Sequence, residues 1–239
     1  MAATRPARKG FPDLASAGTK TRILDAAELL FMEHGFEATS LRSLTSAASV
    51  NLAAVNYHFG SKEELFQAVL TRRLDPMNQE RIERLEKLER DAGGKPCACE
   101  KILFAMMIPA LKLARDENRG GKNFLRLLGR AYADPAPFIR QFLSAQYAGM
   151  IARYKDAFGR ALPHLSKQEL TWRLHFVMGA LSYTLAGTDA FKLFAQVAPN
   201  ERERDNDELL LQRLAPFLVA GLKAPPLGDT RKLELVSGD

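Results

Sequence analysis

Residues 38–62 read ATSLRSLTSAASVNLAAVNYHFGSK, and this stretch decides the fold. It contains no Asp or Glu, although Glu37 and Glu63 flank it directly and the 239-residue chain carries 28 acidic residues. A surface built from such a stretch lacks negative charge and therefore suits an anion. The formal net charge of the whole chain, +6, favours a polyanionic partner without identifying one.

The same stretch predicts two short helices joined by a tight turn. Thr39 or Ser40 can cap the first helix, because a Ser or Thr hydroxyl accepts a hydrogen bond from an N–H group of the first turn. The second helix is predicted over residues 52–57. Helices this short are not stable alone, so we expect packing to hold them and to leave their outward side chains for another role. The inward residues of the first helix are Leu41, Leu44 and Ala48, and the turn residues are Ser49, Val50 and Asn51.

The outward face of the second helix has the composition of a helix that enters the DNA major groove. In a helix-turn-helix the second helix lies in the groove with its first residues at the base edges. Ala53 and Ala54 are small enough for close approach and can contact a thymine methyl group, and Asn56 can pair with adenine. Tyr57 and His58 follow where such a helix meets the DNA backbone, and both can donate to phosphate oxygens.

Lys62 is predicted in the first turn of the next helix, which Ser61 caps with Glu64 as its reciprocal partner. The helix dipole disfavours a cation at that position, and a bound phosphate would explain it. The alternative is a helical hairpin of an unrelated bundle, in which residues 56–58 only cap helices or lie half-buried. The predicted base contacts are Arg42, Ala53, Ala54 and Asn56, and the predicted backbone contacts are Thr39, Ser40, Tyr57, His58 and Lys62.

Three segments, ILDAAELLF, TSLRSLTSAASV and NYHFGSKEELF, resemble the N-terminal DNA-binding domain of the TetR family of bacterial transcriptional regulators. The resemblance covers residues 19–70, and the pattern Y-H-F-x-S-K-E-x-L is specific among helix-turn-helix motifs. It implies a transcriptional regulator that binds double-stranded DNA. In this family the final long helices of two subunits pair as a four-helix bundle. The resemblance therefore implies a homodimer, and a two-fold dimer implies a palindromic operator.

The remainder of the chain predicts only helices, so the fold class is all-α, with about nine or ten helices in two bundles. Residues 21–34 predict a helix that Gly35 ends, and Pro76 is expected to kink or divide the helix over residues 62–90. The later helices are predicted over residues 99–116, 122–133, 136–161, 168–186 and 207–222. The predicted domains are a flexible basic arm over residues 1–18, the helix-turn-helix domain over 19–70, a helical ligand-binding and dimerisation domain over 71–224, and a disordered tail over 225–239.

The last two predicted helices carry more apolar residues than one contact within the chain would use. Ser166 and Glu169 form a capping box that opens the first of these helices. Gly179 and Ala180 would let another backbone approach closely. These features favour a homodimer interface, and two central core helices within one subunit are the alternative.

The helices between residues 99 and 185 are rich in Met and aromatic residues, which is usual for a core and also typical of an adaptable apolar pocket. Arginines within these segments suit the carboxylate or phosphate of a ligand. The segments NFLRLLGRAYADP, WRLHFVMGALSYTLAG and RLAPFLVAGL resemble the PsrA-like branch of TetR regulators, which respond to long-chain fatty acids or their CoA thioesters. This resemblance implies a small apolar or acyl ligand with an Arg or His near its head group. The candidate ligand-binding residues are Phe104, Met107, Arg126, Arg130, Arg173, His175, Phe176 and Tyr183.

The sequence gives less support to other functions. Cys97 and Cys99 are too few for a disulfide framework and lack the partners of a zinc site, so we expect neither a metal nor another cofactor. No nucleophile elbow or pair of catalytic carboxylates indicates an enzyme. No apolar run reaches the roughly 18 residues of a membrane span, so we expect a cytoplasmic protein without a membrane partner.

The leading hypothesis is a homodimeric repressor that a small apolar ligand, such as a fatty acid or acyl-CoA, releases from a palindromic operator. The alternative is a non-specific architectural DNA-binding protein. Such a protein would show steep salt dependence and little preference for any site. The large predicted C-terminal bundle favours the regulator.

Overall fold

The computed structural model describes residues 14–116, 121–133, 136–185 and 207–226. Every regular element in these ranges is an α-helix, which confirms the predicted fold class. The chain forms two compact units, with the division after Leu74, four residues beyond the domain boundary predicted at residue 70. The helices are α1 Leu14–Ala38, α2 Leu41–Ala48, α3 Leu52–Phe59, α4 Lys62–Asp91, α5 Cys99–Arg115, α6 Gly121–Ala133, α7 Pro137–Gln146, α8 Ala148–Ala161, α9 Lys167–Leu185 and α10 Asp207–Lys223.

An aromatic cluster joins α1 to the first part of α4 in the first unit. Phe31 and Phe36 of α1 meet Phe66 edge-on, with ring centroids 5.0 and 5.1 Å from that of Phe66. Ile23 and Ala27 are buried on the same side of α1 as Phe31, as their helical spacing predicts. The two short helices α2 and α3 pack on α1 and on each other.

A buried ion pair adds a directional contact between α1 and α4. Arg73 donates from Nε to Glu28 Oε1 at 2.6 Å and from Nη2 to Glu28 Oε2 at 2.9 Å, so the pair is bidentate. Beside it, Arg72 donates to Asp25 Oδ1 at 2.6 Å. A two-pronged contact of this kind fixes orientation as well as distance. It therefore sets the angle at which these helices meet.

The first helix differs from its predicted bounds at its start. Within α1, Gly35 has φ 81° and ψ 176°, which confirms the predicted break at this residue. However, α1 begins at Leu14, so the last part of the arm predicted over residues 1–18 is helical. Residues 14–17 read LASA, and Leu and Ala are strong helix formers. The remainder of that arm, and residues 227–239 of the predicted tail, lie outside the described ranges.

The core of the second unit is formed by α5, α8, α9 and α10, together with Leu85 of α4. Met106 and Met107 of α5 and Phe158 of α8 all belong to this core. Cys99 is buried there as well, and burial raises the pKa of its thiol to about 11. The thiol is therefore protonated at neutral pH and packs as a small apolar side chain. Within the described ranges, no group of three or more His, Cys, Asp and Glu could hold a metal ion.

The helix predicted over residues 136–161 is wrong in one respect, because the structure divides it into α7 and α8 at Tyr147. Tyr147 leaves helical geometry with φ −111° and ψ 12°. Its ring is buried, and its hydroxyl donates to Asp75 Oδ1 at 2.9 Å. Further along α8, the hydroxyl of Tyr154 donates to the carbonyl oxygen of Arg81 at 2.8 Å. The break thus lets both tyrosines reach α4, which helical periodicity along residues 136–161 does not reveal.

Pro76 does not divide α4, which is one helix from Lys62 to Asp91. Leu74, two residues before it, and Met77, directly after it, are both buried, so packing holds the helix where the missing N–H group weakens it. The chain also has Pro109 within α5 and Pro216 within α10. None of the described helices combines the length and the apolarity that crossing a bilayer requires.

Candidate nucleic-acid interface

The start of α2 is capped by Ser40, one of the two residues predicted for this role. Ser43 N–H donates to Ser40 Oγ at 3.0 Å, and Ser40 N–H donates to Ser43 Oγ at 3.1 Å. Reciprocal caps usually use Glu or Gln at the third helical position. Ser43 supplies the same contact without a charge, so the cap adds no negative group to this exposed surface.

Thr39 has a different role from the predicted phosphate contact. Its side chain is 1% exposed, and its hydroxyl donates to the carbonyl oxygens of Gly35 at 2.7 Å and Leu30 at 3.2 Å. The carbonyls at the broken end of α1 lack their helical partners, and Thr39 satisfies them. It therefore ties α1 to the start of α2, and its burial leaves it inaccessible to a DNA backbone.

A left-handed residue closes the turn between α2 and α3. Ser49 has φ 52° and ψ 49°, and Val50 N–H donates back to the Thr45 carbonyl oxygen at 3.0 Å. Asn51 then caps α3, because its Oδ1 accepts from Ala54 N–H at 2.9 Å. The turn occupies the residues predicted for it, and α3 extends two residues beyond the predicted end, to Phe59.

The two faces of α3 are clearly separated. Val55 and Phe59 are buried against the rest of the unit. Ala53, Asn56 and Tyr57 are exposed, and Tyr57 is 83% exposed. The ring and hydroxyl group of Tyr57 are therefore accessible to a partner. Ala54 and His58 are partly buried beside it, and Ser40 and Arg42 of α2 are exposed.

Leu52 is an exposed residue that sequence reasoning did not single out. It is the first residue of α3 and is 49% exposed. Leucine is neither small nor polar, so its residue type alone does not indicate a base contact. Its position in the first outward turn, directly before Ala53, is the signal that could have identified it.

A tight turn at Gly60 leads from α3 to α4. Gly60 has φ 76° and ψ −67°, and Ser61 N–H donates across it to the Phe59 carbonyl oxygen at 2.9 Å. This γ-turn geometry is strained for residues with a side chain. Ser61 Oγ then accepts from Glu64 N–H at 3.1 Å, which confirms the predicted cap of α4. The predicted reciprocal contact differs, because the Ser61 N–H donates to Phe59 and not to the Glu64 side chain.

Lys62 has protein partners in this structure. Its Nζ lies 4.3 Å from the centroid of the Phe36 ring and 3.5 Å from the carbonyl oxygen of Glu37. A cation over an aromatic face is stabilised by the ring quadrupole, so these contacts explain a lysine in a first helical turn without a phosphate. A contact between Lys62 and DNA remains a proposal. It requires the ammonium group to bind a phosphate while it lies beside Phe36 and the Glu37 carbonyl oxygen.

Among the candidate ligand-binding residues whose side chains the structure describes, no single site brings all of them together. Met107 is buried in the core, whereas Phe104 is exposed on the same helix. His175, Phe176 and Tyr183 are exposed on α9. The side chains of residues 126 and 130 lie outside what the structure describes.

Arg173 anchors the end of α10, which is a correction to its predicted role at a ligand head group. Its guanidinium group is buried and donates from Nε to Glu169 Oε1 at 2.8 Å and from Nη1 to the Leu222 carbonyl oxygen at 3.0 Å. Nη2 donates to the carbonyl oxygen of Pro225 at 3.2 Å. The final carbonyl groups of a helix lack internal partners. Arg173 satisfies them and neutralises the negative end of the helix dipole.

Comparisons with known proteins agree with this fold. The family model described as "Bacterial regulatory proteins, tetR family" matches residues 23–69, and the model described as "Tetracyclin repressor-like, C-terminal domain" matches residues 105–221. The HTH-type transcriptional regulator UidR of Escherichia coli is 38% identical over 52 residues, which are 22% of this chain and 26% of UidR. The chain thus matches about a quarter of the length of that relative.

Two further similarities extend over more of the chain. The HTH-type transcriptional dual regulator CecR of Shigella flexneri is 27% identical over 172 residues, covering 72% of this chain and 66% of CecR. The solved structure of FadR from Bacillus halodurans, described as a fatty acid degradation regulator, has a TM-score of 0.52 at 16% identity. That similarity covers 90% of this chain and 99% of FadR, and at this identity it shows a shared fold alone.

Arg173→Met is expected to lower the free energy of unfolding by about 2–3 kcal/mol, because it removes several hydrogen bonds from a charged, buried donor. The matched control is Arg153→Met on α8. Arg153 forms an exposed ion pair with Glu89 at 2.9 Å, and its loss should cost less than about 1 kcal/mol. Urea denaturation followed by circular dichroism at one protein concentration measures both. Equal small losses would show that Arg173 does not anchor α10.

Proposed function

Because the chain belongs to the TetR family of bacterial transcriptional regulators, we propose that it is a cytoplasmic, homodimeric repressor of a palindromic operator. A small apolar ligand, such as a fatty acid or acyl-CoA, releases it from the DNA. The observation that carries the DNA-binding proposal is the outward face of α3, with Tyr57 83% exposed at its end. The surrounding residues 38–62 carry no acidic side chain.

In the proposed complex, α3 enters the major groove and the ends of α2 and α3 contact the DNA backbone. Tyr57 donates its hydroxyl to a phosphate, which positions the helix without reading sequence. Asn56, exposed one residue earlier, pairs with adenine. The remaining proposed contacts are Arg42, Ala53 and Ala54 to bases, and Ser40, His58 and Lys62 to the backbone.

Two substitutions should distinguish a phosphate contact made by an uncharged donor from one made by a charged donor. Tyr57→Phe removes one hydrogen bond from an uncharged donor in each half-site, so operator affinity should fall about three- to tenfold per half-site at every salt concentration, without a change in salt slope. Lys62→Met should reduce the magnitude of the slope of log K against log salt by about 2 for the dimer, because each of its two subunits releases about one fewer counterion. Fluorescence anisotropy measures both, on a duplex that the protein enriches from a random library.

Ser144→Ala, which removes an exposed hydroxyl group from α7, is the control for the loss of a hydroxyl group. Unchanged operator affinity in Tyr57→Phe and in Tyr57→Ala would contradict the docking arrangement. Equal competition by random DNA and by the enriched duplex would instead favour a non-specific architectural protein.

The dimer proposal rests on an exposed stripe along α9. Trp172, Phe176 and Tyr183 are all exposed, and Phe176 is 63% exposed. At about 100° per residue, these positions and Gly179 fall within an arc of roughly 60°. The opposite side of α9, with Leu170, is buried in the core of its own unit. An aromatic stripe interrupted by glycine permits close packing of a second helix, so we assign it to the partner subunit.

The final helix offers a second such surface. Phe217 of α10 is exposed, and the small residues Ala220 and Gly221 are exposed near it. Leu218 and Leu222 face inward and are buried. Both α9 and α10 are therefore apolar on two sides, one of which packs within the chain. This pattern supports a four-helix bundle formed by two copies of α9 and α10.

Phe176→Asp is expected to produce monomers at micromolar concentration, because it places a charge in the centre of the proposed interface. Monomers should bind a single half-site but lose the gain from joining two half-sites. Analytical ultracentrifugation and circular dichroism measure assembly and folding. The control is Ile151→Asp, which changes an exposed apolar residue of α8. A dimer that survives Phe176→Asp, or one that Ile151→Asp alone disrupts, would contradict the assignment.

The ligand class is supported by the resemblance of the C-terminal half to fatty-acid-responsive regulators and by the fold shared with FadR, a fatty acid degradation regulator. A ligand can release the repressor only if it binds more tightly to the form that does not fit the operator. Ligand binding would then shift the dimer to a population whose two α3 helices no longer match the half-sites.

Long-chain acyl-CoA is expected to release the protein from its operator in a concentration-dependent manner, whereas CoA and acetyl-CoA should not, because the acyl chain supplies the apolar contact. Anisotropy of the labelled operator measures release. Native mass spectrometry of the protein as purified, and extraction of its bound lipids, tests occupancy independently. Equal release by CoA and by its long-chain thioester would contradict an acyl-specific site.

A further inference from the structure

The first turn of α3 presents an apolar surface. Leu52 is 49% exposed, and Ala53 beside it is exposed as well. The polar residue at this end, Asn51, uses its Oδ1 to cap the helix by accepting from Ala54 N–H at 2.9 Å. The outward groups that begin α3 are therefore mainly hydrocarbon.

The fold of the first unit does not use Leu52 as a core residue. Val55 and Phe59 make the buried contact between α3 and the rest of the unit. A leucine left half-exposed gains free energy only when a partner covers it. Since the surrounding residues 38–62 contain no acidic group and α3 is the second helix of a helix-turn-helix, that partner is duplex DNA.

Among the base edges in the major groove, the 5-methyl group of thymine is the one apolar group. Guanine, cytosine and adenine present acceptors or donors that need water or a polar partner. A leucine side chain placed over them removes the water and returns no hydrogen bond, which costs free energy. Leucine at this position thus favours thymine and disfavours the other bases.

We propose that Leu52 is a specificity-determining residue that reads thymine methyl groups, one in each half-site of the operator. The inference rests on the proposed function, because it assumes that α3 enters the major groove. It adds an apolar readout to the contacts of Asn56, and it defines the ligand as a duplex with a thymine opposite the first turn of α3.

The test replaces thymidine by deoxyuridine, which removes only the 5-methyl group. A duplex is first enriched from a random library by the full-length protein, and each thymidine of its half-sites is then replaced in turn. At one position per half-site, wild-type affinity should fall about fourfold for each methyl group removed. In Leu52→Ala the same replacement should change affinity less than about 1.5-fold, because no leucine remains to contact the methyl group.

Leu29→Ala is the matched control, since it shortens another exposed leucine of the first unit. This variant should retain the wild-type response to deoxyuridine. Circular dichroism checks that each variant is folded. A loss of affinity on methyl removal that is the same in wild type and in Leu52→Ala would overturn the inference, because another residue would then read the methyl group.

The outcomes separate this inference from the proposed function. An enriched operator whose affinity is insensitive to every deoxyuridine replacement would overturn the role of Leu52 and leave the repressor proposal standing. A selection that enriches no sequence would overturn both. A response that depends on Leu52 and occurs at equivalent positions of the two half-sites supports both.

Discussion

The structure of the first unit depends on one constraint, which is that α2 and α3 have only eight residues each. Helices of this length do not persist in water. They form because Leu44, Val55 and Phe59 are buried against their neighbours, and because side chains satisfy the N–H groups at both starts. Packing therefore commits one face of each helix. The exposed surface between Arg42 and Tyr57 is left available for recognition, and the buried residues of α2 and α3 hold it in place.

The ion pair between Glu28 and Arg73 constrains the orientation of α1 relative to the first part of α4. An apolar contact between α1 and α4 would tolerate small rotations, whereas two parallel hydrogen bonds between planar groups do not. Removing two charges from water costs much of what their attraction returns. The pair thus contributes less to net stability than to a defined angle between helices. A recognition helix that must match base edges within a fraction of an ångström benefits from that definition.

The sequence was sufficient for features that depend on neighbouring residues. The caps at Ser40 and Ser61, the break at Gly35 and the turn before α3 follow from short-range geometry and were predicted. It was insufficient where a side chain reaches a distant partner. Nothing near Thr39 indicates that its hydroxyl returns to Leu30, and nothing near Arg173 indicates the carbonyl of Leu222. Periodicity also shows that Phe176 and Tyr183 share a face, but it does not show whether that face lines a pocket or the surface.

The chemistry of α3 limits how this chain can distinguish one DNA sequence from another. Asn51 is used as a cap, and few of the remaining outward side chains on α3 can hydrogen-bond to a base. Most of the affinity must then come from backbone contacts, which do not read sequence. In the proposed dimer, selectivity would then depend on the few polar base contacts, on apolar contacts, on the spacing of the two half-sites, and on the deformability of the DNA between them. A displacement of the two α3 helices would change the distance between them. The two helices could then no longer make their contacts in both half-sites at once. Under the proposed mechanism, release by a ligand would therefore need no change in the recognition surface itself.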